Sequence, residues 1–253
     1  MSTNEILKYL EKNEERLFVI HYSCENLNDN NQNYSPRITS IAVIHLKSYT
    51  THSFSLHLIA EELDIKRDDI TSKYNDIEKQ MLEKFYDFVK NLQNPLWLHW
   101  NMSNINFGFE AIAHRYKVLT KKDAPTIQDT SKYNLSWMIL QIYGKDCVDN
   151  PRMPNLMDLN GGRPRDVLLG EDEVKAFQNQ EYIKLHKSTM SKANWFESMY
   201  YKLQKRKIKT TRTNWMNRLN TFLEHPYIKL VGFFAVLFTV IQFCIYIIEK
   251  VSK

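Results

Sequence analysis

Histidines are the first residues of this chain whose side chains suggest chemistry. Five of them lie in or at the end of segments with β-strand character: His21, His45, His52, His57 and His99. Imidazole groups bind metals and transfer protons near neutral pH. However, His52 and His57 are five positions apart, which places them on opposite faces of a single strand. The spacing of His45 does not bring it near either of them, so we interpret most of these histidines as structural.

One nucleophile-and-base pair is nevertheless compatible with the sequence. Cys24 follows His21 closely, and His99 ends a neighbouring predicted strand. A cysteine thiolate activated by an imidazole is a common nucleophile, so a metal-free hydrolase that uses these three residues is one alternative. Three cysteines in 253 residues, at positions 24, 147 and 244, are too few and too scattered for a disulfide framework or a zinc site. We therefore predict no catalytic residue, no metal site and no cofactor.

Aromatic and amide side chains are concentrated in residues 97–115. Trp100 ends a short apolar run at residues 95–100, and Asn101 follows it. Arg115 lies in the next predicted helix. Ligands favour the carboxyl ends of such strands in open α/β sheets. One hypothesis is a nucleotide whose base stacks on Trp100, with Asn101 at the base edge and Arg115 on a phosphate. The alternative is that the tryptophans belong to the core and the asparagines cap a helix.

The elements that must position these residues follow an α/β pattern. Alternating and β-rich runs predict three consecutive strands in an antiparallel meander, and apolar residues at helical spacing predict the helices. The predicted strands are residues 17–23, 39–46, 51–58, 95–100 and 125–131, and the predicted helices are residues 72–91, 107–119, 135–142 and 171–201, with an irregular loop at 149–165. The order is β-β-β-α-β-α followed by helices. We predict a mixed sheet in a domain formed by residues 1–201.

Short motifs in this frame resemble the DEDD-type 3'-5' exonucleases, a ribonuclease H-like family. The segment FVIHYSCENL resembles the first strand of the family, with His21 and Ser23 at the positions of its Asp-x-Glu pair. LHWNMSNINFGFEAI resembles the second motif, with Gly108 at the aspartate. DTSKYNLSWMILQIYG resembles the Asp-Thr segment. HKSTMSK resembles the His-x4-Asp motif, retaining His186 and placing Ser191 at the acid.

The resemblance implies a ribonuclease H-like fold without the metal-binding carboxylates of the family. Its hydrolysis uses two Mg²⁺ ions, which require carboxylate oxygens. The resemblance therefore implies a pseudo-nuclease that binds a nucleotide, a nucleic-acid end or a partner protein in the former substrate cleft. The predicted ligand-binding residues are His21, Ser23, His99, Trp100, Asn101, Arg115 and His186. A non-catalytic membrane scaffold is a further alternative.

The C-terminal part predicts a membrane anchor. Residues 230–248 form a run of 19 residues without a charge, which predicts one transmembrane helix followed by a short tail at 249–253. Basic residues are concentrated before this run, which predicts that the N-terminal domain faces the cytoplasm. A soluble domain joined to one membrane segment is an arrangement known from bacterial antiviral effectors, so a role in defence or signalling is one interpretation.

The distribution of charge favours lipid as a partner. The chain has a net charge of +5, but residues 202–229 alone carry eight basic residues and one acidic residue, a net charge of +7. The part before residue 202 is consequently mildly acidic, which argues against sequence-independent binding along nucleic acid. The basic juxtamembrane segment 202–229 is predicted to contact anionic lipid.

Overall fold

The computed structural model describes residues 1–25, 35–103 and 107–211, together with isolated positions after residue 211. The predicted transmembrane helix at 230–248 lies outside the described residues except for four isolated positions, and so do the tail at 249–253 and most of the segment 202–229. Among the described residues, no helix has both the length and the apolar character that a membrane crossing requires.

A five-stranded mixed sheet forms the centre of the domain. Its strands are β1 (Leu17–Cys24), β2 (Ile38–His45), β3 (Thr50–Ser55), β4 (Leu96–His99) and β5 (Lys132–Asn134). They lie in the order β3-β2-β1-β4-β5. Strand β2 is antiparallel to β1 and β3, whereas β4 is parallel to β1 and β5. The predicted α/β class, the mixed sheet and the antiparallel meander are confirmed.

Eight α-helices surround the sheet in the part of the chain up to residue 211 that the structure describes. They are α1 (Thr3–Lys12), α2 (Leu56–Glu62), α3 (Tyr74–Lys90), α4 (Phe109–Thr120), α5 (Leu135–Tyr143), α6 (Arg152–Leu159), α7 (Glu171–Gln178) and α8 (Tyr182–Gln204). Because side chains alternate along a strand, β1 contributes to both cores: Phe18 and Ile20 pack with α3 and α4, whereas Leu17 and Val19 pack with α1, α5 and α8. Burial on both faces explains why β1 is almost continuously apolar.

Several predicted boundaries are wrong. The third strand ends at Ser55, and the chain enters α2 because Leu56, Ile59 and Ala60 recur at helical spacing and are all buried. The fifth strand lies at Lys132–Asn134, after the predicted residues 125–131. The expected loop at 149–165 contains α6, which tolerates Pro154 in its first turn because amide groups there have no helical acceptor. The predicted helix at 171–201 is two helices, separated at Gln180, whose φ is 57°.

The chain continues to pack on the domain after Tyr201. Helix α8 runs to Gln204, and the following residues return to α6. Asn160 donates through Nδ2 to the Lys209 carbonyl at 2.9 Å and accepts from the Lys209 amide at 2.9 Å. Ile208 and Thr210 are buried, and the Thr211 amide donates to the Cys147 carbonyl at 3.0 Å. We call residues 207–211 the exit segment.

A buried ion pair joins the two helices on one face of the sheet. Arg115 on α4 donates through Nε to Glu78 Oε1 at 2.9 Å and through Nη2 to Glu78 Oε2 at 2.5 Å. Glu78 on α3 is fully buried, and its Oε1 also accepts from the Ile38 amide at 2.6 Å, where β2 begins. Burial raises the pKa of Glu78, and Arg115 opposes that rise. The pair therefore fixes α3, α4 and β2 relative to one another.

Replacing Arg115 with methionine should strongly destabilise the domain, because it leaves Glu78 buried without its cation. We expect a loss of about 3 kcal/mol or more in the free energy of unfolding. The measurement is thermal unfolding of the full chain in detergent micelles. Lys117→Met is the matched control: Lys117 lies on the same helix, pairs with Asp123 at the surface, and should cost less than about 0.5 kcal/mol. Equal losses in the two variants would contradict a structural role for Arg115.

Candidate functional site

Polar side chains meet where α8 crosses the centre of the sheet. His21 and Ser23 point from β1 toward α8, and Ser40 points toward it from β2. On the helix, His186, Thr189 and Lys192 recur every three residues and face the strands, as the periodicity of a helix requires. The contact between α8 and the sheet is apolar from Ala193 onward and polar before it.

Four of the residues at this contact form a hydrogen-bonded network. Lys192, which is only 2% exposed, donates through Nζ to Glu173 Oε1 on α7 at 2.6 Å. Ser23 Oγ lies 3.3 Å from the same carboxylate oxygen and 2.7 Å from Thr189 Oγ1. Thr189 in turn donates to the Leu185 carbonyl at 2.9 Å. The Glu173 carboxylate compensates the cost of burying an ammonium ion under α8.

His21 lies beside this network with an unsatisfied nitrogen. Its ring contacts Phe196 edge-on, with 5.3 Å between ring centroids, and its buried Nδ1 makes no hydrogen bond to any described residue. Burial lowers the pKa of His21 well below its ordinary value, and the positive charge of Lys192 lowers it further. The imidazole is therefore neutral at physiological pH and offers one donor and one acceptor.

A cavity opens at this point, at the carboxyl end of β1. Its volume is about 380 Å³, and the residues that line it include His21, Ser23, Cys24, Phe107, Glu173 and Lys192. That volume lies within the range of small-molecule sites, roughly 300–1,000 Å³. Buried polar groups in an otherwise apolar cavity are typical of a binding site.

The chain matches no family model, no curated protein and no solved structure. The functional argument therefore depends on the geometry of this cavity.

The structure divides the seven predicted ligand-binding residues into separate groups. His21 and Ser23 line the cavity together. His186 lies on the same helix face, but its Nδ1 contacts Ser40 Oγ at 2.6 Å and its ring lies 5.1 Å from that of His57. Burial, and secondarily the neighbouring His57, lowers the pKa of His186 to about 4. His186 thus belongs to the contact between α8 and the β2 strand rather than to the cavity lining.

The residues after β4 have structural partners. His99 is buried, and its Nδ1 accepts a hydrogen bond from the Met102 amide at 3.0 Å. Burial, followed by the charge of Lys132, lowers the pKa of His99 to about 3. Trp100 is in the core, stacked on Phe196 with 5.6 Å between ring centroids. These contacts agree with the alternative in which the tryptophan is a core residue.

Asn101 and Arg115 also have partners within the protein. Asn101 has a φ of 53°, and its side chain and amide bond to Asn134, which caps α5. Arg115 is held by Glu78 and does not line the cavity near His21. Its donors are directed at Glu78, Asn75 and the Ser35 carbonyl, so the geometry does not favour the hypothesis that it binds a phosphate there.

Most of the residues that line the cavity were not predicted as site residues, and they include Glu173, Lys192 and Phe107. One signal was present for Lys192, because this residue falls on the apolar face that Leu185, Ala193 and Phe196 define at helical spacing. A lysine on such a face needs a partner. Its partner could not be found in the same way, because Glu173 comes from a different helix.

The carboxylates that line the cavity, from Glu25, Glu171 and Glu173, are not grouped so that they could hold a metal ion. Among the residues that the structure describes, no group of three or more His, Cys, Asp or Glu side chains is placed to hold a metal ion. The donor set beside the cavity contains a buried ammonium and a neutral imidazole. Neither fits a pair of Mg²⁺ ions, which need several anionic oxygens.

The stability of the domain should fall as the pH falls from about 6.5 to about 4, in part through His186. In this range the unfolded chain binds a proton at His186 and the folded chain does not, so protonation favours unfolding. This histidine should account for a loss on the order of 3 kcal/mol across the range, since one pKa unit corresponds to about 1.4 kcal/mol.

The measurement compares urea unfolding of the full chain and of His186→Gln at several pH values in this range. The variant should show a weaker dependence on pH, by about one proton. His114→Gln, at an exposed histidine on α4, is the control and should behave like the unsubstituted chain. A variant whose pH dependence equals that of the unsubstituted chain would contradict the assignment.

Proposed function

We propose that this protein is a membrane-anchored binding module whose α/β domain is a degenerate relative of the ribonuclease H-like DEDD exonucleases. Its ligand, a nucleotide or a nucleic-acid end, binds beside Lys192 without a metal ion. The observation that carries the proposal is the pair formed by the buried Lys192 and the partly buried Glu173, next to His21 and Ser23. The resemblance aligns His21 and Ser23 with two metal-binding acids of the family.

The arrangement of elements supports the relationship. Three antiparallel strands are followed by helices, by β4, by α4, and by a further strand and helices. The segment that resembles the His-x4-Asp motif lies on α8, which packs mainly against β1 and β2. The segment of this motif meets the motif on β1 through Thr189, which contacts Ser23, and the next helical turn brings Lys192 into the lining of the cavity with His21 and Ser23, whereas His186 contacts β2.

A lysine at this position accounts for binding without hydrolysis. In the resembled family, cations bridge the enzyme and the substrate, and clamp the attacking and leaving oxygens. The Lys192 ammonium supplies a fixed positive charge and hydrogen-bond donors but no bound water to act as a nucleophile. Binding can therefore persist after the loss of the carboxylates, whereas the two-metal reaction cannot.

The cavity suits a single nucleotide better than a long strand. Its volume is about 380 Å³, and among the described residues that line it Lys192 is the one lysine or arginine. Tracking along a nucleic acid requires several cations that neutralise successive phosphates. A mononucleotide or a terminal nucleotide meets the dimensions of the cavity, and a partner protein would have to insert a side chain of similar size.

Nucleotide binding should not depend on divalent metal and should depend on Lys192. The experiment measures binding of a panel of mononucleotides and short oligonucleotides to the full chain in detergent, with EDTA and with Mg²⁺ or Mn²⁺. We expect equal affinity in both conditions and a loss of about tenfold or more for Lys192→Met, since a hydrogen bond from a charged donor to the ligand contributes about 1.5–3 kcal/mol. The matched control is Lys184→Met, at an exposed lysine on the same helix.

Two results would count against the proposal. Binding that appears only with Mn²⁺ or Mg²⁺ would mean that an intact metal site exists. Binding that is unchanged in Lys192→Met would locate the ligand elsewhere. Thermal unfolding of each variant without ligand shows whether the variant folds. Thermal unfolding with ligand shows whether it binds, because a ligand at about 100 times its Kd adds about 2.7 kcal/mol to the free energy of unfolding.

The alternative is a metal-free hydrolase, and the cavity contains two of its three predicted residues. His21 and Cys24 both line it, whereas His99 does not and is bonded to the Met102 amide. The hydrolase requires turnover that is lost in Cys24→Ser, while the binding module requires that this variant retain its affinity for nucleotide. Product formation measured alongside binding distinguishes the two.

The proposal includes the transmembrane helix at residues 230–248, with the domain in the cytoplasm and the basic segment against anionic lipid. The exposed residues Lys205, Arg206, Lys207 and Lys209 support this, because they lie where the chain leaves the folded domain. Each basic residue near such a surface contributes roughly 1 kcal/mol.

Removing residues 230–253 should release the protein from membranes. We expect the full chain to resist extraction with alkaline carbonate and to float with vesicles, and the shortened chain to be extracted. The shortened chain should still bind vesicles that contain anionic lipid, and Lys205→Gln/Lys207→Gln/Lys209→Gln should weaken that binding by more than tenfold. Extraction of the full chain would contradict the anchor. A membrane scaffold would instead show a co-purifying protein and no nucleotide binding.

A further inference from the structure

We infer that the cavity at the end of β1 recognises a nucleobase, which stacks on Phe107 while His21, Glu173 and Lys192 contact its polar edge. The inference rests on the proposed function and specifies which part of the ligand enters the cavity. It also moves the stacking residue from Trp100, which is buried in the core, to Phe107, which is partly exposed and lines the cavity.

Phe107 has the geometry of a stacking platform. Its ring is stacked on Tyr22, with 4.6 Å between ring centroids and 18° between ring planes. Tyr22 is itself fixed, because its hydroxyl accepts a hydrogen bond from the Gly108 amide at 3.0 Å. Only part of the Phe107 ring is covered by this contact. The remaining surface belongs to the cavity lining, where a planar ring can pack on it.

His21 supplies an unsatisfied polar group at the same place. Buried polar atoms in folded proteins are nearly always hydrogen-bonded, so each exception calls for an explanation. The His21 ring lies 6.3 Å from that of Phe107, between centroids, at an angle of 63°. The Nδ1 atom itself is buried, so a base that lies on Phe107 meets the His21 ring where that ring lines the cavity.

The Lys192–Glu173 pair adds a donor and an acceptor to the same wall. Lys192 has three N–H donors, and its ammonium makes one hydrogen bond to the described residues, to Glu173 Oε1. Glu173 Oε1 also contacts Ser23, whereas Oε2 accepts no hydrogen bond from the part of the chain that the structure describes. The edges of nucleobases carry adjacent acceptors and donors, which can pair with the Lys192 ammonium and the Glu173 carboxylate.

The charge of the lining argues that the base, and not the phosphate, occupies the cavity. Among the described lining residues, Lys192 supplies an ammonium, and it is already paired with Glu173 at 2.6 Å. A phosphate beside Lys192 would compete with the Glu173 carboxylate for the ammonium. It would also lie close to that negative charge, which is unfavourable at short distance. A neutral base meets no such penalty, and its phosphate remains at the mouth or outside.

The test separates base from phosphate with three classes of probe. We measure binding to the full chain in detergent with EDTA. The probes are nucleosides, the corresponding mononucleotides, and two phosphate compounds without a base, ribose 5-phosphate and inorganic phosphate. We expect at least one nucleoside to bind within about threefold of its mononucleotide, and the two phosphate probes without a base not to bind. This pattern supports recognition through the base.

Substitutions then test the platform. Phe107→Leu should weaken nucleoside binding by about tenfold or more, and Phe107→Tyr should retain it, because stacking requires an aromatic face. Phe54→Leu is the matched control: Phe54 is a partly buried phenylalanine of the same core, but it lies on β3 outside the cavity lining. His21→Phe should also weaken binding by about tenfold, since it removes both hydrogen-bonding nitrogens.

The outcomes distinguish this inference from the proposed function. Equal binding of ribose 5-phosphate and the mononucleotide overturns the inference but leaves a metal-independent phosphate ligand at Lys192. Unchanged nucleoside affinity in Phe107→Leu also overturns the inference, because the base then does not stack on Phe107, but it leaves the proposed metal-independent nucleotide ligand. Absence of binding by every probe, with or without metal, overturns both. Loss of binding in Phe107→Leu but not in Phe107→Tyr or Phe54→Leu supports the inference and excludes a general effect on folding.

Discussion

The contact of α8 with the two central strands is the interaction on which the rest of the structure depends. Its apolar half, from Ala193 to Leu203, packs against β1 and β2. It completes the core that Leu17 and Val19 form with α1 and α5. Its polar half places Thr189 and Lys192 over Ser23 and His21. The buried ammonium needs a carboxylate, and α7 provides it through Glu173. Helix α8 thus completes the core, pairs with α7 through Lys192 and Glu173, and contributes Lys192 to the wall of the cavity.

The α/β class and the mixed sheet could be predicted from the sequence because they depend on local patterns of apolar residues. Burial of β1 on both faces makes its run apolar, and the 3.6-residue repeat of α3 gives a long helix. Errors occurred where two periodicities competed. Leu56 fits an alternating strand and also the first turn of a helix, and tertiary packing selected the helix. Pro154 suggested a loop, yet a proline in a first helical turn costs little.

The site was less predictable because its partners are distant in the sequence. His21 and Ser23 were found from their strand, but Glu173 lies 150 positions from Ser23 and nothing local connects them. Conversely, the aromatic and polar residues predicted between positions 97 and 115 have partners within the protein: Trp100 is buried in the core, His99 accepts from the Met102 amide, and Arg115 pairs with Glu78. Residue type indicates what a side chain is able to do, whereas burial and pairing decide whether it is available to a ligand.

Helix α8 also has a mechanical consequence. It carries Lys192 in its middle, and its end at Gln204 leads into the exit segment, which Asn160 and the Cys147 carbonyl hold against the domain. Twelve residues of helix separate Lys192 from Gln204, a rod of about 18 Å at 1.5 Å per residue. A tilt of about 10° at one end displaces the other by about 3 Å by the same geometry. A displacement of Lys192 would therefore also displace the chain that follows Gln204, because one helix connects the two.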